Sequence, residues 1–154
     1  MKTEFDVKNF RSKIQIKVRY DDLDTLGHVN NKVYLSYLEE SRINYIREVF
    51  GFDGKSLDFD VVVGRIDISY LSPVFLTDNV FVYTRVSRIG KKSYDFESYI
   101  LTAKDGNVRT AAYALVTMVS VDVKTGKTKQ NNQRMLAAVL SFEPIEPDFV
   151  NSGN

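Results

Sequence analysis

The chain has 154 residues, 44% of them hydrophobic and 27% charged, which is the size and composition of one globular domain at roughly 100–200 residues per domain. The formal net charge is +1, which excludes a domain held to nucleic acid by its overall charge. The absence of cysteine excludes disulfides, thiolate nucleophiles, iron–sulfur clusters and cysteine zinc sites together.

In chain order, the N-terminal MKTEFDVKNF lacks the apolar segment of a secretory signal. Residues 14–20, IQIKVRY, alternate apolar and polar and predict a strand. Residues 21–30, DDLDTLGHVN, are polar, contain a glycine and predict a loop. Over 31–50, the residues Val33, Tyr34, Tyr37, Leu38, Ser41, Tyr45, Ile46 and Val49 recur at helical spacing and predict a long helix. Asn30 or Asn31 is the expected cap and Gly51 the expected stop. Glu39 and Arg42, three apart on this helix, are expected to pair.

Residues 61–71, 80–89, 93–103 and 108–122 are rich in β-branched and aromatic side chains and predict four strands. Turn residues at 90–92 and 104–107 read as hairpin connections. A short helix is expected over 132–140, followed by a loosely held tail with two prolines and Asn-Ser-Gly-Asn at its end. The apolar runs at 111–116 and 135–140 fall well short of the about 20 residues of a membrane-spanning helix. A cytoplasmic protein with no membrane or nucleic-acid partner is expected. The order strand, long helix, four strands predicts an α+β layer in which an antiparallel sheet of about five strands curves around the helix. One domain spans 1–154, with its core at about 10–142.

The densest polar constellation is Arg19-Tyr20-Asp21-Asp22-Leu23-Asp24-Thr25-Leu26-Gly27-His28-Val29-Asn30-Asn31, where the first strand gives way to the long helix. It holds the chain's one histidine. A helix N-terminus offers unpaired N–H groups and a positive dipole end, which suit a developing oxyanion. A neighbouring carboxylate is a candidate base or nucleophile. The residues therefore point to acyl transfer or hydrolysis, with Asp24 as base or nucleophile and N–H groups near Asn31 as oxyanion donors. The same residue types also serve as caps and turns, so a purely structural loop stays open. One histidine among carboxylates without calcium-loop spacing makes no metal motif. Neither a phosphate-binding glycine loop nor a Gly-x-Ser-x-Gly elbow is present.

The stretch RYDDLDTLGHVNNKVYLSYLEESR resembles the signature of the hotdog-fold acyl-CoA thioesterases, the 4-hydroxybenzoyl-CoA thioesterase-like group. The matching positions are Arg19, Tyr20, Asp22, Asp24, Gly27, His28, Val29, Asn30, Asn31, Tyr34, Tyr37, Glu39 and Arg42. Further blocks match at Tyr70-x-x-Pro73 with Asp78-x-Val80, and at Gly90-Lys91-Lys92-Ser93. The resemblance implies a hotdog fold, one long helix wrapped by a curved antiparallel sheet, and hydrolysis of an acyl-CoA to free acid and coenzyme A.

It implies that Asp24 is the catalytic nucleophile or general base, and that the Asn31 backbone N–H meets the thioester oxygen. For His28 it leaves two roles, orienting water or substrate, or packing. It places Lys91, Lys92 and Ser93 in the turn that meets the coenzyme A phosphates, and the acyl group against Tyr34, Tyr37, Val61, Val62 and Val63. No metal or redox cofactor is implied, since coenzyme A belongs to the substrate. A homodimer or homotetramer with sites between subunits is implied, so that the two lysines serve the other subunit's Asp24. Two competing functions remain, a hotdog dehydratase or hydratase and a non-catalytic acyl-thioester-binding domain. The dehydratase pattern has His five residues after Asp with Asn-Pro between them, whereas Asp24 and His28 are four apart without it.

Overall fold

The computed structural model describes residues 4–55 and 60–150. Strand β1 spans Ser12–Ile16 and helix α1 Val33–Phe50. Strands β2 (Val61–Tyr70), β3 (Asn79–Ile89), β4 (Ser93–Lys104) and β5 (Asn107–Ser120) follow. Helix α2 (Gln133–Phe142) and the short strand β6 (Asp148–Phe149) close the chain. The sheet runs β1-β3-β4-β5-β2, every neighbour antiparallel, with β6 added in parallel to β3.

Residues directly opposite in an antiparallel ladder share a face. Val80, Val82 and Val86 of β3, Phe96 and Ile100 of β4, and Ala112, Ala114, Val116 and Met118 of β5 turn to α1 and form the core with Tyr34, Tyr37, Leu38 and Tyr45. A buried chain of hydroxyls stitches the layers together: Thr84 Oγ1 donates to Ser41 Oγ at 3.0 Å and lies 2.8 Å from Ser98 Oγ. The Ser41 hydroxyl donates in turn to the Leu38 carbonyl at 2.7 Å. The other sheet face is covered in part by the N-terminal segment, whose Phe5 and Phe10 pack on Tyr83 and Tyr99.

The structure departs from the sequence reading in four places. The first strand ends at Ile16, because its partner β3 begins only at Asn79, and Val80 is the last residue paired to it. Helix α1 starts at Val33 rather than 31, with no side-chain cap on Lys32. Asn30 works one turn earlier, accepting the Lys32 N–H on Oδ1 at 3.1 Å and the Val33 N–H on its carbonyl at 2.9 Å. Gly51 is the left-handed stop expected, at φ 66°. Arg42 is buried rather than on the surface, with its Nη1 lacking a hydrogen-bond partner, and Glu39 still favours its charge electrostatically.

The tail is held, not loose, as far as residue 150; the final Asn-Ser-Gly-Asn lies outside the described residues. β1 covers β3 only up to Thr84, and the rest of that edge is taken by Glu143 and β6. The Glu143 carboxylate accepts the Val86 N–H at 2.7 Å and the Tyr45 hydroxyl.

The two sheet edges differ. β1 is short and carries Lys13, whose Nζ lies 4.5 Å from the Phe81 ring centre. β2 is long, and α1 lies over β1 and β3 rather than over it. The helix-side residues Val63, Ile66 and Tyr70 of β2 stay 44%, 38% and 44% exposed.

Burial raises the Glu143 carboxyl above its ordinary value near 4.5, against the opposing hydrogen bond from Tyr45. The native state therefore holds this proton to a higher pH than the unfolded chain. The resulting stability is fully present below the unfolded value and is lost as pH rises through the folded one. Glu143→Gln keeps an acceptor, and its melting temperature is expected to fall less than wild type as pH rises from about 4.5 to 7. Glu143→Leu strands two buried donors and is expected to cost about 2–4 kcal/mol in urea unfolding.

Candidate active site

The chain between β1 and α1 is shaped by its own polar side chains. Tyr20–Asp22 forms a turn in which Asp22 Oδ2 accepts the Arg19 N–H at 2.9 Å. Asp24–His28 is a tight hairpin: Asp24 N–H donates to the His28 carbonyl at 2.8 Å, and Gly27 N–H to the Asp24 carbonyl at 3.1 Å. Asp24 Oδ1 accepts the Leu26 N–H at 2.9 Å, an Asx turn. Gly27 takes φ 86°, a conformation side chains resist. Four residues thus bring Asp24 and His28 side by side, with Asp24 Oδ2 3.9 Å from His28 Nδ1. That spacing is too long for a hydrogen bond and short enough for electrostatic coupling.

The hairpin is seated by the core. Val29 N–H donates to the Val74 carbonyl at 2.8 Å, and the His28 ring meets Phe75 edge-on at 5.8 Å between centres. Asp22 binds both sides of the loop. Its carboxylate accepts the Tyr37 hydroxyl of α1 at 2.9 Å, and its carbonyl accepts the Asn30 N–H at 2.8 Å. Burial, and then this bond to Asp22, raise the Tyr37 phenol, so it remains a donor at neutral pH.

His28, Asn31, Tyr34, Tyr70 and Ser72 line a cleft of about 310 Å³ at the start of α1. Tyr70 closes it from β2, donating to the Asn31 carbonyl at 3.0 Å and meeting the Tyr34 ring edge-on at 5.0 Å. Among the described residues the Asn31 N–H has no hydrogen-bond partner, so one donor is free beside the cleft. Asp24 is not part of the lining and stands at the cleft through His28. The arrangement offers a backbone donor at the cleft and a carboxylate one residue's reach away, behind His28. Among the described residues no three His, Cys, Asp or Glu side chains gather as a metal site requires.

The second predicted cluster lies elsewhere. Lys91, Lys92 and Ser93 occupy the β3–β4 hairpin, at the far end of β3 from Phe75 and His28. Eleven residues of β3 put about 30 Å between those ends. Within one chain the lysines and Asp24 are therefore not brought together. The Ser93 hydroxyl accepts from Arg88 Nη2 at 3.1 Å. The proposed acyl lining also divides. Tyr34 lines the cleft, Tyr37 is engaged with Asp22, and Val62 points to the sheet face opposite Val61 and Val63, as strand alternation demands.

Tyr70 and Asp22 were present in the matched blocks, yet their roles depend on partners 39 and 15 residues away that no local pattern reveals.

A family model for the thioesterase-like superfamily matches residues 18–147. The long-chain acyl-CoA thioesterase FadM of Escherichia coli is 35% identical over 114 residues, 73% of this chain and 85% of that protein. A thioesterase from Thermus thermophilus, solved with coenzyme A and Zn, aligns with a TM-score of 0.77 at 31% identity, over 90% of this chain and 98% of its own. The probable thioesterase YbaW of Escherichia coli aligns at 0.71 and 28% identity, over 86% and 99% of the two chains.

Asp22→Ala is expected to lower stability by about 2–3 kcal/mol, because it strands the Tyr37 hydroxyl and frees the loop. Tyr37→Phe is expected to cost about 1–2 kcal/mol. Urea unfolding of both variants checks the order.

Proposed function

The chain belongs to the thioesterase-like superfamily, has the hotdog fold and is a thioester hydrolase, and from that premise we propose that it cleaves acyl-CoA to free acid and coenzyme A with Asp24 as the reacting carboxylate. The observation that carries this reading is the junction before α1. There Asn31, whose N–H has no partner among the described residues, lines a cleft together with His28, whose Nδ1 is 3.9 Å from Asp24 Oδ2.

The thioester carbonyl oxygen points to the Asn31 N–H, which meets the negative charge as the tetrahedral centre forms. A donor of this kind is worth about 2.7–4 kcal/mol in the transition state. Asp24 either takes a proton from the attacking water or attacks the carbonyl carbon itself, giving an anhydride that water then opens. In both routes the C–S bond breaks, the thiolate of coenzyme A leaves and takes up a proton, and the acyl carbon gains one oxygen from water. His28 orients water or substrate between the carboxylate and the cleft.

The site needs a second copy of the chain. β2 is a long edge strand whose apolar helix-side residues are open, and such an edge is stable only when paired. Two-fold pairing of β2 with β2 is antiparallel and self-complementary. It sets the Val61 end of one copy beside the Tyr70 end of the other. Val61 pairs with Ser120, whose N–H donates to the Lys92 carbonyl. The lysine hairpin of the second copy thus arrives at the end that carries Asn31 and His28. Lys91 and Lys92 there meet the phosphates of the nucleotide while the acyl chain follows the apolar row Tyr70, Ile68, Ile66 and Val63. The likeness to FadM supports long acyl chains along that row.

Asp24→Asn is expected to reduce thiol release from palmitoyl-CoA at least about 100-fold with an unchanged melting temperature. Full activity in the folded variant removes Asp24 from the mechanism. Ile66→Lys is expected to shift sedimentation from dimer to monomer and to abolish turnover with it. A monomeric wild type, or an active monomer, overturns the shared site.

A further inference from the structure

We propose that Asn131 is the positioning residue that turns the Gly90–Ser93 hairpin into a phosphate-binding turn; this rests on the acyl-CoA reading above.

Asn131 is 3% exposed and lies just before α2, far in sequence from the hairpin. Its carboxamide Nδ2 donates to the Gly90 carbonyl at 2.8 Å and the Ser93 carbonyl at 3.0 Å. Its backbone N–H donates to the Lys91 carbonyl at 3.0 Å. The carboxamide is itself oriented, because the Ser120 hydroxyl donates to Oδ1 at 2.7 Å. Ser120 N–H takes the remaining carbonyl, Lys92, at 2.9 Å, and Gly90 N–H closes the turn on Ser93 at 2.8 Å.

Every carbonyl from Gly90 to Ser93 is thereby drawn inward. What the turn leaves outward is positive. Among the described residues the N–H groups of Lys91 and Lys92 have no acceptor. Lys91 is exposed and Lys92 half-buried, and neither ammonium group makes an ion pair among the described residues. The nearby Arg88 is already neutralised by Asp95, at 2.7 and 3.0 Å. Carbonyl oxygens facing a phosphate repel it, whereas N–H groups and ammonium groups attract it. Fixing the turn before binding removes an ordering cost that would otherwise weaken affinity. The turn packs closely here: a Cβ on Gly90 would stand 2.9 Å from Arg88 Nη1 and 3.2 Å from Ser93 Oγ, so the Arg88 side chain would have to shift.

The test is steady-state thiol release from hexanoyl-CoA and from hexanoyl-pantetheine, which lacks the nucleotide. Wild type, Asn131→Ala, Ser120→Ala and Lys91→Ala/Lys92→Ala are compared, alone and combined. Asn131→Ala is expected to raise KM for the coenzyme A substrate about 5–20-fold, to leave kcat in place, and to change KM for the pantetheine substrate less than about twofold. Ser120→Ala is expected to move in the same direction by less, and serves if Asn131→Ala does not fold. In the Lys91→Ala/Lys92→Ala background the Asn131 effect is expected to vanish, since it acts through the turn. Equal changes on both substrates, with a lowered melting temperature, make Asn131 merely structural and overturn the inference. A selective effect of the lysine variant without one from Asn131 or Ser120 overturns the inference and leaves the acyl-CoA reading standing. No selective effect of the lysine variant overturns both.

Discussion

The carboxylate and carbonyl of Asp22 hold together three parts of the chain that have no other reason to meet. One oxygen receives the Arg19 N–H and the Tyr37 hydroxyl of the long helix, and the carbonyl receives Asn30. The loop that carries Asp24 and His28 is closed between these ties. They add to the bridges of Leu23 to Val29 and His28 to Phe75 and to the bond of Val29 to Val74. The reactive role proposed for Asp24 would need placement within fractions of an ångström. A loop gains that precision only from polar ties of this kind, since it has little apolar area of its own to bury.

The helix, the four long strands and the Asp24–His28 loop were legible in the sequence because each depends on local periodicity or turn chemistry. The strand ends erred where partners, not propensity, decide: residues 17–20 have strand-like alternation but no strand opposite them. Val62 was grouped with Val61 and Val63 as one lining, although a period of two separates their faces. The helical spacing predicts that Arg42 pairs with Glu39, which does act on it electrostatically, but does not reveal that the guanidinium is buried. The matched motifs named Lys91 and Lys92. They could not show that both lie a strand's length from Asp24, because that separation is a property of the ladder.

Some buried polar groups in this chain are left partly unsatisfied. The Arg42 Nη1 and one oxygen of Glu143 have no partner, and each such atom costs about 1–3 kcal/mol relative to a satisfied one. The hydroxyl chain through Ser41, Thr84 and Ser98, by contrast, is fully paired and fixes the helix on the sheet without charge. Polar groups in this core are therefore of two kinds, those fully satisfied and those that keep one unpartnered atom, as Glu143 does while still accepting from Val86 and Tyr45.

The unlike edges of the sheet also set how far copies of this chain can go on adding to one another. A ladder that could extend from both sides would build a fibre. Here one side is five residues long and bears a lysine, and the next strand inward is finished by Glu143 and β6. Growth from that side is disfavoured. The long side, once joined to its own copy, presents no further strand of its kind. Joining in the proposed β2-to-β2 pairing would thus be self-limiting, because the contact that such assembly consumes is the one on which further growth would depend.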